Sequence, residues 1–293
     1  MGYLKGKTAI ITGAGRAVLS DGRCGSIGYG IATAYAKEGA NLVITGRNLK
    51  KLEDAKEELE RLYGIKVLAV QADVSAGADN EAVVANVVDK AMEAFGRIDV
   101  LINNAGVLPR FDRLMNYTKE EIDESINIDF YSAAYSSKIM LPLLMKSETP
   151  AIINVASSAA LMALGGTSMY SASKAAVKGL TEAMREELRG EAYIGLVCPG
   201  FTKTDIFRNQ GETNGMDLIN MVSTPCDKAV NKILKGILGK KSYIVVGFDG
   251  NAMGRFNRLM PVQGSRFFSS VIKAFKIDLF ASTFGYEKKG DKK

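Results

Sequence analysis

Apolar and polar positions along this chain are grouped in blocks. Six near-continuous apolar runs, Thr8–Thr12, Leu42–Thr45, Val67–Val70, Val100–Asn103, Ile152–Val155 and Ile194–Val197, are short enough to be strands, and a seventh, Tyr243–Val246, follows later. Runs without a polar face belong to a sheet that is covered on both sides, as parallel sheets are. Between them, apolar residues recur at helical spacing over Ile27–Glu38, Leu49–Tyr63, Asn80–Phe95, Lys119–Lys146, Tyr170–Arg189 and Cys226–Leu238. Thr118 and Glu121 make a capping box that opens the fourth helix. Repeated strand–helix units with right-handed crossovers predict an α/β protein built on a doubly wound, parallel, seven-stranded sheet. No internal repeat or linker interrupts this pattern. The chain therefore reads as a single domain over residues 1–250, followed by a C-terminal extension over residues 251–293.

Composition narrows the chemistry. The 293 residues include no histidine, which removes Ser-His-Asp hydrolysis, histidine zinc sites and histidine acid/base work. No metal-ligating cluster is expected. Proton transfer must fall to Tyr, Lys, Asp, Glu or Cys. Cys24, Cys198 and Cys226 are far apart in sequence and have no CxxC spacing. They read as ordinary thiols of a reduced, cytoplasmic protein. The N-terminus has no signal-peptide pattern, no apolar run reaches membrane-spanning length, and Gly2 lacks the Ser or Thr of a myristoylation motif.

The net charge of +6 sits entirely in the tail, where nine Lys and Arg oppose three acids from Arg255 onward. A neutral body argues against nucleic-acid binding. In the tail, Phe267, Phe268, Val271, Ile272, Phe275 and Leu279 form a helical stripe beside Arg266, Lys273 and Lys276. Three readings fit: packing on the body or on a partner subunit, a lid over an apolar substrate, or contact with an anionic membrane surface. Glu287–Lys293 is polar enough to be disordered.

The first strand runs into Thr12-Gly13-Ala14-Gly15-Arg16, and the next helix begins at Ser26-Ile27-Gly28. A strand, glycine turn and helix N-terminus make a site for pyrophosphate. Further on stand Asn103-Asn104-Ala105-Gly106, then Asn127, then Ser157, then Tyr170-Ser171-Ala172-Ser173-Lys174. Tyr170 and Lys174 are one helical turn apart and share a face.

In this order and spacing, these segments resemble the short-chain dehydrogenase/reductase family, whose members have the Rossmann fold. The likeness runs from about Lys7 to Gly250. Ser26–Leu68 is especially similar to bacterial 12-alpha-hydroxysteroid dehydrogenases. SIGYGIA is also similar to divergent enoyl reductases. The family's TGxxxGxG is altered here: Ala17–Gly25 is inserted, and Ser26 replaces the middle glycine.

The resemblance implies an active-site tetrad of Asn127, Ser157, Tyr170 and Lys174. Ser157 is preferred to Ser158 because the family's serine stands three residues after the strand asparagine, here Asn154. Tyr170 would be the acid in reduction and the base in oxidation, its pKa lowered by Lys174 and by the oxidised nicotinamide. Ser157 would hold the substrate oxygen, Lys174 the ribose, and Asn127 a water leading to solvent. The implied cofactor contacts are Gly13, Arg16, Ser26, Ile27, Arg47, Asp73, Val74, Asn103, Ala105, Gly106, Tyr170, Lys174, Pro199, Gly200, Thr202 and Thr204. Gly46 stands where NAD-preferring members place an acid, and Arg47 follows it. NADP(H) is therefore expected over NAD(H).

These features imply a ketone/secondary-alcohol oxidoreductase acting on a small apolar carbonyl or alcohol, of hydroxysteroid or 3-oxoacyl type, in a homodimer or homotetramer. Phe201–Asp217 is where this family covers its substrate. Phe207 and Met216, with Leu161, Met162 and Leu164, are candidates for an apolar pocket. Enoyl reduction is one alternative, disfavoured because those enzymes space tyrosine and lysine more widely. A non-catalytic cofactor-binding regulator is the other, disfavoured because the tetrad is intact.

Overall fold

Each of the seven apolar runs forms a strand in the computed structural model, which describes residues 2–75, 77–206, 219 and 221–286. In chain order the elements are β1 (Thr8–Thr12), α1 (Ile27–Lys37), β2 (Asn41–Gly46), α2 (Leu49–Tyr63), β3 (Val67–Gln71), α3 (Asn80–Phe95), β4 (Val100–Asn103) and α4 (Lys119–Ile126). Next come α5 (Ser132–Leu144), β5 (Ala151–Val155), α6 (Ser168–Glu187), β6 (Tyr193–Pro199), the short β7 (Thr202–Lys203) and β8 (Thr224–Pro225), α7 (Cys226–Leu238) and β9 (Tyr243–Val246). The extension adds α8 (Phe248–Leu259), α9 (Pro261–Ala274) and α10 (Ala281–Phe284). Phe207, Met216 and Glu287–Lys293 lie outside the described residues.

The sheet is parallel in the order β3-β2-β1-β4-β5-β6-β9. This is a doubly wound Rossmann-type arrangement. Alternate residues of β1 serve opposite layers, as the strand period of two requires. Ala9 and Ile11 pack with Tyr29 and Ile31 of α1, Leu52 of α2 and Ile233 of α7. Ile10 packs on the other face with Val84 of α3, Met140 of α5 and Met184 of α6. Each fully buried Ile or Leu stabilises the fold by about 2 kcal/mol over its exposed state.

The capping box forms as expected: Thr118 Oγ1 accepts from Glu121 N, and Glu121 Oε2 accepts from Thr118 N. The expected Lys119–Lys146 helix forms over Lys119–Leu144 with one irregularity. A π-helical turn over Asn127–Tyr131 separates α4 from α5, and the Ser132 N–H reaches back to the Asn127 carbonyl. Single π turns of this kind often mark functional sites.

The insertion Ala17–Gly25 folds on itself. Val18 bridges Cys24 in antiparallel fashion, Leu19 N donates to Arg23 O at 2.8 Å, and Asp21 accepts from Arg23 Nε at 2.7 Å.

The extension packs on the body. Ile272, Ile277, Leu279 and Phe280 form one apolar cluster with Phe111. Phe111 and Phe280 rings lie 4.9 Å apart, and Arg113 Nε donates to Thr283 O at 2.9 Å. The stripe read from the sequence is divided between two environments. Ile272 and Leu279 are buried, whereas Phe267 and Phe275 are 56% and 60% exposed. The division arises because α9 stops at Ala274, so Leu279 falls on a following turn. No helix among the described residues is long and apolar enough to cross a membrane.

Candidate active site

The C-terminal ends of β1, β2, β4, β5 and β6 open onto one cleft of about 450 Å³, as open α/β sheets require of their ligand sites. At its floor the glycine turn is fused to the end of β4. Asn104 Nδ2 donates to Thr12 O at 2.9 Å and Gly13 O at 3.2 Å. Thr12 Oγ1 accepts from the N–H groups of Asn104 and Ala105, both at 2.9 Å. The backbones approach so closely that a Cβ on Gly28 would lie 2.3 Å from Gly13 O and 2.4 Å from Asn104 Nδ2. Only glycine fits there. Ser26 caps α1, its Oγ accepting from Tyr29 N at 3.3 Å, and the helix N-terminus faces the cleft. Gly13, Ser26, Ile27, Gly28 and Arg47 line this end.

Asn103 points into the sheet. Its Nδ2 donates to Asn154 Oδ1 at 2.8 Å and to Ser137 Oγ at 3.1 Å, and Asn154 Nδ2 donates to Thr181 Oγ1 at 2.9 Å. This buried chain joins β4, β5, α5 and α6, and so fixes the level of the residues that follow each strand.

At the other end of the cleft stand Ser157, Tyr170 and Lys174. Ser157 follows β5 and accepts from Ala159 N at 3.1 Å. Ser158 also lines the cleft. Tyr170 and Lys174 share a face of α6, with Lys174 Nζ 5.8 Å from the centre of the Tyr170 ring. Lys174 is buried and pairs with the buried carboxylate of Asp129 at 3.3 Å. Asp129 is held by three groups at once, two from α6 and one from the loop after β4. Oδ1 also accepts from Val107 N at 2.9 Å, and Oδ2 accepts from Ser173 Oγ at 2.7 Å. Gly106 leaves room for the pair, since a Cβ there would come within 2.8 Å of Lys174 Nζ.

The electrostatics follow from this geometry. Burial lowers the pKa of Lys174, but the charge of Asp129 and the nearby Tyr170 outweigh it and hold the ammonium above its ordinary value. For Tyr170, burial raises the pKa, Lys174 pulls it down, Asp129 raises it again and Ser157 lowers it, with a net rise. The lowering expected from Lys174 is present but is overcome by enclosure and by the neutralising carboxylate.

Pro199, Gly200, Thr202 and Thr204 form the third wall. Their turn is held by the half-buried Asp249, which accepts from Phe201 N at 2.6 Å. A Cβ on Gly200 would fall 2.3 Å from that carboxylate. Burial raises the Asp249 pKa, and backbone N–H groups only partly offset it. Apolar residues close the remainder: Phe111, Met162 and Leu164 from the body, and Met253 and Phe280 from the extension.

Besides Asn103, the cofactor-contact candidates Arg16, Asp73 and Val74 and the tetrad candidate Asn127 are not among the residues lining this cleft. The Arg16 guanidinium turns to α2 and pairs with Glu58. Asp73 accepts from Ser75 N at 3.0 Å, which with the Ser75 side chain holds its carboxyl below the usual range. Val74 offers its carbonyl to Asn80 Nδ2 at 2.9 Å. Asn127 opens the π turn, and its side chain packs on Gly77, where a Cβ would stand 3.1 Å from Asn127 Oδ1. The sequence reading missed Asp129, Asn104 and Asp249. A lone acid between Ile128 and Phe130 was the available signal for the first.

A bare-backbone turn at a helix N-terminus, facing a buried cation and a tyrosine across one cleft, fits a dinucleotide and defines a nicotinamide-dependent oxidoreductase. The chain belongs to the short chain dehydrogenase family, whose profile matches residues 7–215. It is 46% identical over 200 residues to a 12alpha-hydroxysteroid dehydrogenase of Clostridium sp., covering 68% of this chain and 74% of that one. An 11-beta-hydroxysteroid dehydrogenase-like protein of Arabidopsis thaliana is 31% identical over 79% of this chain and 73% of its own. Among solved structures, a short chain dehydrogenase from Burkholderia cenocepacia in complex with NADP superimposes with a TM-score of 0.73 at 27% identity, covering 85% of this chain and 99% of that one. A Burkholderia phymatum enzyme in complex with NAD gives 0.69 at 26% identity, covering 84% and 90%.

Proposed function

We propose that this protein interconverts a bulky apolar ketone, of the hydroxysteroid type, and its secondary alcohol with NADP(H). The observation that carries the reading is the convergence of Ser157, Tyr170 and the Lys174–Asp129 pair on a wall of a cleft whose far end is a glycine turn at the N-terminus of α1. Bound there, the nicotinamide would supply the hydride in reduction and accept it in oxidation.

The residues of the chain do the remainder. Ser157 accepts from Ala159 N–H through one lone pair and would give its own O–H to the substrate oxygen. Tyr170, raised in pKa and therefore protonated near neutrality, gives its proton to the developing alkoxide. Lys174 is held by Asp129 at the level of Gly106, where it meets the ribose side of the cleft. Gly13, Ser26 and Ile27 would present backbone N–H groups to the pyrophosphate, and Arg47 would offer its guanidinium to a 2′-phosphate. Pro199 to Thr204 would border the nicotinamide.

The hydroxysteroid dehydrogenases among the relatives and the rigid apolar wall of Phe111, Met162 and Phe280 support a polycyclic substrate. Dimer or tetramer formation is proposed by analogy with the family. The test is reduction of a panel of steroid ketones, 3-oxoacyl thioesters and enoyl thioesters with NADPH and NADH. Turnover of a ketone with NADPH is the expected result, and the Tyr170→Phe variant should lose about 10²- to 10⁴-fold in kcat. Retained turnover in that variant, or turnover of enoyl substrates alone, would sink the proposal.

A further inference from the structure

Two cysteines 202 residues apart in sequence meet in the fold. Cys24 closes the inserted turn against Val18, and Cys226 is the first residue of α7. Both are free thiols, and their sulfurs lie 3.0 Å apart, sharing a hydrogen bond. The surroundings make room for this contact. A Cβ on Gly30 of α1 would come within 2.9 Å of Cys24 Sγ and 2.5 Å of the Val230 side chain, so bare backbone admits the sulfur. Ala34, Cys226 and Val230 form an apolar cluster against which Cys24 packs. Cys24 keeps part of its surface in solvent, whereas Cys226 is buried. The outer thiol is the one a small oxidant reaches, and the inner one waits behind it.

We propose that Cys24 and Cys226 form a dithiol site that a peroxide oxidises to a disulfide, fastening the inserted turn to α7. The hydrogen bond from Cys226 favours the Cys24 thiolate, which is the nucleophilic form. In the first step the Cys24 sulfur attacks one oxygen of hydrogen peroxide. The O–O bond breaks, the other oxygen leaves as water, and Cys24 becomes a sulfenic acid. In the second step the Cys226 sulfur attacks the Cys24 sulfur. The S–O bond breaks, and the hydroxyl leaves as water with the Cys226 proton. Two thiols are oxidised, and one peroxide is reduced to two waters.

The location gives the bond a structural effect. The carbonyl of Gly25 accepts from Asp205 N at 2.9 Å, and β7 pairs with β8 directly before Cys226. A disulfide would tie the inserted turn covalently to the start of α7, next to the strand pair that leads out of the third wall of the cleft. Neither sulfur lines the cleft, so the site is independent of the hydride chemistry. Cys198 is the internal control, since burial pushes its thiol up to about 12.

The test is stoichiometric peroxide on the full chain, followed by alkylation and peptide mapping without reductant. The expected product is a Cys24–Cys226 linked peptide, lighter by two hydrogens, cleaved by dithiothreitol, with Cys198 still alkylated. Oxidised protein should melt higher by on the order of 5 °C. With a second equivalent of peroxide, Cys226→Ser should take Cys24 through the sulfenic acid to the sulfinic acid, and Cys24→Ser should leave Cys226 reduced. Cys24 recovered unmodified or as sulfinic acid in the wild-type chain, with no link to Cys226, would overturn the proposal. So would a link joining two chains. None of these readouts depends on turnover.

Discussion

Asp129 Oδ1 stands 3.3 Å from Lys174 Nζ, both side chains shut away from solvent, and no other carboxylate among the described residues pairs with this ammonium. The π turn makes the meeting possible. It inserts an extra residue into the helix running from α4 to α5 and so brings Asp129 round to α6.

The first prediction concerns that charge. With Asp129 present, the Lys174 ammonium is largely neutralised, and Tyr170 stays above its ordinary pKa. Asp129→Asn leaves the ammonium to act on Tyr170 alone, so the phenolate is favoured and the Tyr170 pKa falls. Alcohol oxidation needs the phenolate, so its rising pH limb should move to lower pH in the variant. Breaking the buried pair should also cost about 3 kcal/mol of stability. The pH profile of kcat in the oxidative direction checks this, and an unmoved limb would exclude an electrostatic role for Asp129.

Arg47 should set cofactor choice. Hydrogen bonds to a charged partner contribute about 1.5–3 kcal/mol, so Arg47→Ala should lower kcat/KM for NADPH by about 10- to 100-fold. The NADH value should hardly change. Adding Gly46→Asp would supply the missing ribose acceptor and tip the ratio towards NADH. Initial rates with both cofactors measure it, and equal losses with both would dissociate Arg47 from the 2′-phosphate.

Phe280 lies in the cleft wall and against Phe111. Phe280→Leu removes a flat ring from the substrate side while keeping an apolar side chain. The KM for a polycyclic ketone should rise about tenfold, with NADPH affinity unaltered. Steady-state kinetics plus a cofactor titration separate the two, and a fall in NADPH affinity would count against this assignment.

Asp99, at the start of β4, bears on acid stability. Burial would raise its pKa, but hydrogen bonds from Arg97, Ser147 and Thr8 N–H prevail and hold it below the usual carboxylate range. A depressed folded pKa stabilises above the unfolded value near about 4 and loses that contribution as pH falls through the folded value. Asp99→Asn should cost about 2 kcal/mol at neutral pH. The difference in Tm between variant and wild type should shrink as the pH falls below the unfolded carboxylate value.

The sheet was legible in the sequence because strands buried on both faces have no polar position to hide them. All seven apolar runs became strands, with ends shifted by a residue or two. The π turn was not legible. Residues 127–131 contain no Gly or Pro, and the apolar period continues through them, so nothing local marks the extra residue. Side-chain direction was lost in the same way. Arg16 has a phosphate-binding residue type in a phosphate-binding turn, yet the acidic face of α2 captures it. Nothing local could have shown that Cys24 and Cys226 meet, because their contact depends on how α1 and α7 cross.

The extension contributes Met253 and Phe280 to the cleft, while every polar group proposed for proton movement comes from the body. The reacting groups thus lie wholly in the body, while the apolar lining is shared between the body and the extension. Replacing the last forty or so codons would offer the same reacting centre to a different clientele of molecules.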